Sequence, residues 1–84
     1  MDLKSAIITG HAARQMARRQ IQEAEVRAAL AQPDAVLPVR EGRVVAQMLS
    51  GRYLLRVFVD VDRQPAEVVT VYRTSKIDKY RSRP

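Results

Sequence analysis

The sequence predicts an α+β domain in which two N-terminal helices pack on one face of a four-stranded antiparallel sheet. Three observations predict it: helix-period apolar spacing from Thr9 to Gln32, strand-like runs after Ala35, and glycine-bearing turns between those runs. The sheet is organised around YLLRVFVDV and EVVTVYRT, rich in β-branched and aromatic residues and joined by DRQPA, which read as an antiparallel hairpin. Strict alternation places Leu55, Val57, Val59, Val69 and Val71 on one face, and Arg56, Phe58, Asp60, Thr70 and Tyr72 on the other. The first face suits a core and the second mixed chemistry.

Thr9 is the expected N-cap of a helix running to about Arg19. Its wheel sets Ala12, Ala13, Met16 and Ala17 on a packing side, opposite His11, Arg14, Gln15 and Arg18. Ile21 to Gln32 forms the second helix. Gln22 takes the cap position, Glu23 and Glu25 complement the positive helix end, Ile21 staples onto Val26, and Pro33 ends the run. AVLPVR then begins the strands. Pro38 cannot donate to a central ladder, so this strand belongs at an edge or carries a bulge. Glu41-Gly42 leads into RVVAQMLS, and Ser50-Gly51 leads from it into the central hairpin. Helices on one face are required, because Leu55, Val57 and Val59 otherwise lie in water.

At 84 residues the chain is expected to be a single domain, 1–84, with a basic C-terminal tail from about residue 75. The net charge is +6 and the pI about 10.5, a balance that favours polyanionic partners, RNA first and an acidic protein second. There is no cysteine, so disulfides and thiolate metal sites are excluded. No Gly-rich phosphate loop or metal-ligand spacing occurs, and neither a cofactor nor a metal is expected. No apolar run approaches the roughly 20 residues of a membrane helix, and Leu3 to Ile8 is too brief for a secretory segment. A cytoplasmic protein without a membrane partner is the expectation.

Candidate functional residues fall in three places. His11 is the one histidine, the side-chain type that titrates near neutrality without special tuning. Arg56 on the polar strand face suits phosphate neutralisation, or equally an ion pair with Asp60; Tyr72 suits proton donation or base stacking, or simple packing. Arg14 and Arg18 on the first helix, Arg19 at its end, and Lys76, Lys79 and Arg81 in the tail form a basic set for RNA phosphates, or a solvated surface. Tyr72 and Tyr80 interleave with those basic residues, as base stacking requires.

TGHAARQM at Thr9–Met16, Arg19 and Ile21 before EAEVRAAL, and the closing VVTVYRTSKIDKY together resemble the DUF4258 family of small bacterial proteins. The family in turn resembles RelE-like toxins within a group of metal-independent ribonucleases that includes barnase. The resemblance implies a RelE-like fold and an endoribonuclease toxin of a toxin–antitoxin system, held by a small antitoxin-like protein. His11 and Arg19 match the family's helix signature, Thr70 and Tyr72 its final strand, while Gln15 stands where many relatives are expected to carry arginine. The implied site is His11 as base, Arg56 with Arg19 on the phosphate, Tyr72 as acid or stacking platform, and Thr70 as a positioning group. The alternative is a non-catalytic RNA-binding or protein-binding module on the same fold.

Overall fold

The structure is a computed structural model describing residues 2–84; residue 1 of the expected 1–84 domain lies outside them. In chain order its elements are β1 (Ile7–Ile8), α1 (Gly10–Arg19), α2 (Glu23–Ala31), β2 (Ala35–Arg40), β3 (Arg43–Ser50), β4 (Tyr53–Asp60), β5 (Glu67–Thr74) and α3 (Ile77–Tyr80). The sheet is five-stranded and mixed, in the order β1-β5-β4-β3-β2, which corrects the expected four-stranded antiparallel sheet. β2 to β5 form the predicted antiparallel meander, but β1 joins its far edge parallel to β5, pairing Ile7 with Glu67 and Ile8 with Val68. Two residues are too few for an alternation to show, so this strand had no period to announce it. A third, four-residue helix also follows β5.

The turns and caps follow from particular residues. Gly42 and Gly51 both take positive φ, at 83° and 60°, and a Cβ on Gly42 would lie 2.7 Å from Asp62 Oδ2. Thr9 Oγ1 accepts the Ala12 N–H at 3.2 Å while donating to the Val68 carbonyl at 2.9 Å, so one hydroxyl caps α1 and ties it to β5. Glu25 accepts the Gln22 N–H at 3.1 Å at the start of α2. Pro38 lies on the edge strand, and the β2–β3 register slips between it and Arg40.

The core lies between the helices and one sheet face. Ala12 and Met16 of α1, Ile21, and Val26, Ala29 and Leu30 of α2 pack on Ala46, Leu55, Val57, Val59, Val68 and Val71, with Leu3 and Ala6 closing the N-terminal side. Val57 is fully buried, as its phase in β4 requires. Val69 departs from its expected place. Phe58 pairs with Thr70 but Val59 pairs with Val68, so Val69 is the extra residue of a β-bulge, and Val68 takes the core position.

α1 is rotated about its axis from the expected arrangement. Its buried residues are Ala12, Gln15 and Met16, while Ala13 and Ala17 are exposed. The reason is the outer edge of β5, which β1 covers only as far as Val68. Beyond it, Gln15 Oε1 accepts the Val71 N–H at 3.1 Å, and Arg19 donates to the Val71 carbonyl at 2.6 Å. Arg73 donates to the Arg19 and Gln20 carbonyls at 3.1 and 2.6 Å, placing a cation at the negative end of α1. Side chains therefore complete a ladder that lacks a strand.

On the other sheet face, Arg43 donates to Asp60 through Nε at 2.6 Å and through its terminal nitrogen at 3.2 Å. Asp60 thus pairs with Arg43 and not with Arg56, because the β3–β4 register sets Arg43 opposite it. The hydrogen bonds from Arg43 hold the Asp60 carboxyl below the usual carboxylate range, against the opposing effect of burial.

Two outcomes are expected. Gln15→Leu, close in volume, leaves the Val71 N–H without its acceptor and should cost about 1–3 kcal/mol in urea unfolding. Asp60 has a folded pKa below its unfolded one, so its stabilisation is full above the ordinary Asp value and is lost as pH falls through the lower folded value. Urea midpoints between roughly pH 5 and pH 2 should therefore fall more steeply for the wild type than for Asp60→Asn.

Candidate functional site

Arg56 occupies the centre of the sheet face opposite the helices and is only 1% exposed. Alternation along β4 puts it on that face, and register sets it between Gln47 of β3 and Tyr72 of β5. All three of its nitrogens are engaged. Nε donates to Gln47 Oε1 at 2.7 Å, one terminal nitrogen to the Tyr72 hydroxyl at 2.7 Å, and the other to the Arg83 carbonyl. Three of the chain's four aromatic rings surround the guanidinium, with centroids at 5.4 Å for Phe58, 5.7 Å for Tyr72 and 4.8 Å for Tyr80. Phe58 and Tyr72 stack beneath it, 6.0 Å apart and 16° from parallel.

Among the described residues no carboxylate pairs with this buried cation. Its partners are a side-chain amide, a phenol, a peptide carbonyl and ring faces, which are dipoles and quadrupoles without net charge. Such an environment stabilises a guanidinium while leaving its charge uncompensated, as an anion-binding position requires.

The C-terminal segment roofs this position. The basic segment from about residue 75 packs on the sheet: Ile77 and Tyr80 are half-buried, Gln47 donates to the Arg81 carbonyl at 2.9 Å, and Arg56 reaches the Arg83 carbonyl. The side chains of Lys76, Lys79, Arg81 and Arg83 stay exposed around the rim. Beside Gln47 opens a groove of about 270 Å³ lined by Asp34, Ala35, Leu49, Leu54 and Arg81.

Of the residues singled out from sequence, the structure brings Arg56 and Tyr72 into direct contact and places Thr70 on the same face, opposite Phe58. His11 is elsewhere. It is exposed on α1 and bonded to Gln15 at 3.1 Å, and the same Gln15 accepts the Val71 N–H at the β5 edge. Arg14 and Arg18 are exposed on α1, whereas Arg19 reaches into the β5 edge. Gln47, Phe58 and the Arg81 and Arg83 carbonyls are the site components that sequence reasoning did not single out. Gln47 had a signal, since it is the one polar residue inside an otherwise apolar strand run; a backbone carbonyl has none.

Twelve of the fifteen basic residues form no ion pair among the described residues; the three that do are Arg27, Arg43 and Arg63. Among the same residues no helix is long and apolar enough to cross a membrane.

Neither the curated proteins nor the solved structures contain a match to this chain. The profile of the family described as "Domain of unknown function (DUF4258)" matches residues 8–73, from the last residue of β1 through the Arg56–Tyr72 pair to the penultimate residue of β5. By that match over most of its length, the chain belongs to the DUF4258 family.

Proposed function

We propose that this protein binds RNA, using the exposed cations of α1 and the C-terminal rim on the phosphate backbone and the polar sheet face at its centre. The observation that carries the reading is Arg56, a guanidinium caged by three aromatic rings with no carboxylate to neutralise it. Arginine and tyrosine together supply a charge for phosphate and a ring for a base, and the unpaired cations at Arg14, Arg18, Lys76, Lys79 and Arg81 extend the same field outward. An acidic protein partner is the competing occupant of that surface.

Cleavage is a second reading, favoured by the Tyr72 hydroxyl 2.7 Å from the Arg56 guanidinium. A proton-bearing hydroxyl beside a cation suits attack by a ribose 2′-hydroxyl on the adjacent phosphorus. The tyrosine protonates the leaving 5′-oxygen, the arginine stabilises the phosphoryl oxygens, and the 2′ proton passes to water, because His11 lies apart at the β5 edge. The products are a 2′,3′-cyclic phosphate and a free 5′-hydroxyl; DNA lacks the attacking group. On this reading the protein is a metal-independent, RelE-like endoribonuclease toxin held by a small antitoxin-like partner.

Two measurements test these readings. If about four phosphates of a single-stranded RNA are contacted, affinity should fall roughly 50-fold between about 50 and 200 mM salt, and Arg14→Ala with Arg18→Ala should flatten that slope. No binding at low salt, with an acidic protein captured instead, overturns the RNA reading. For cleavage, Tyr72→Phe should lower the rate by about 10² to 10⁴-fold with the fold intact and no effect of EDTA, and His11→Ala should leave it unchanged. Full activity in the Tyr72 variant removes that hydroxyl from the chemistry, and cleavage of DNA or dependence on a divalent ion rejects the mechanism.

A further inference from the structure

We infer that residues 76–84 are a displaceable strap whose backbone carbonyls occupy a phosphate site built from Arg56, Gln47 and Tyr72. The inference rests on the RNA reading only for the identity of the phosphate carrier. Its starting point is the mismatch at Arg56. Removing a cation from water is costly, and the only offsets are neutral acceptors and ring faces. A phosphate accepts from two guanidinium N–H groups in parallel and brings the missing charge, so it is a better partner than the peptide carbonyl of Arg83.

The strap is also what completes the burial. It contributes the Tyr80 ring, the Arg83 carbonyl on Arg56 and the Arg81 carbonyl on Gln47. Gln47, Phe58 and Tyr72 belong to the sheet and remain when the strap leaves.

Its hold is weak by comparison with the other helices. α1 and α2 each bury three residues, whereas α3 is four residues long and buries none. The segment also sets Lys76, Lys79, Arg81 and Arg83, against Asp78 alone, over an already cationic centre. Like charges oppose closure, and a polyanion relieves both the centre and the strap. The groove beside Gln47 and Arg81 gives an approach from the side. Once lifted, the four strap cations are free to follow the same phosphate chain.

The test is a titration of the full chain with inorganic phosphate at constant ionic strength held with chloride, read by the Arg56 Nε–H resonance and by amide exchange of residues 77–83. Phosphate should shift that resonance and speed exchange of the strap amides several-fold. Tyr80→Ala, which removes one ring from the cage and leaves the charge intact, should lower the half-saturating phosphate concentration by about fivefold. An unmoved Arg56 resonance in the wild type, with shifts confined to exposed lysine and arginine positions, overturns the strap whether or not the variant folds. A parallel titration with an RNA oligonucleotide separates the two readings. A phosphate response without RNA binding keeps the strap and rejects RNA; RNA binding with the Arg56 resonance unmoved and the strap amides protected does the reverse.

Discussion

The outer edge of β5 is the constraint on which this fold depends. A strand edge buried without partners for its peptide groups costs as much as several lost hydrogen bonds, and β1 supplies partners only as far as Val68. Thr9, Gln15 and Arg19 supply the rest, spaced along one helix so that a hydroxyl, an amide and a guanidinium meet successive backbone groups. The position of α1, and through it that of α2 and the core, follows from that match. The residues of the family's helix signature consequently have a structural task that any chemistry at His11 must share. Gln15 serves both, since one end of its amide faces Val71 and the other His11.

The two sheet faces are different kinds of interior. One is aliphatic and sealed by the long helices. The other buries Val45 and Leu54 but places a cation between them and seals it with a short, charged segment. Apolar burial holds the first closed, while on the second two buried aliphatic residues and the Arg43–Asp60 ion pair stand beside a cation held by dipoles and ring faces. The larger aliphatic interior therefore lies on the helix side of the sheet.

Much of the architecture was legible because long, β-branched runs between glycine turns have few alternatives: β2 to β5 fall on AVLPVR, RVVAQMLS, YLLRVFVD and EVVTVYRT. The cap of α1, the Ile21–Val26 staple and the edge position of Pro38 followed from local chemistry in the same way. What escaped depends on distant chain segments. Two residues of β1 acquire strand geometry only from β5, Gln15 is buried only because an edge needs an acceptor, and Asp60 prefers Arg43 to Arg56 through cross-strand register. Arg56 and Tyr72 could be placed on one face by parity, but their enclosure by Tyr80 and two carbonyls required knowing where the chain returns.

The bulge at Val69 has a consequence for how β5 tolerates change in length. Because Val69 is the supernumerary residue, its loss would leave Val68 and Val71 facing inward and Thr70 and Tyr72 facing Arg56, with only the local bend relaxed. Losing a later residue while the bulge is kept would instead invert the strand beyond that point, exchanging aliphatic for aromatic side chains across the sheet. The bulge thus gives β5 one residue of slack, set directly before the stretch whose parity sorts aliphatic from aromatic side chains.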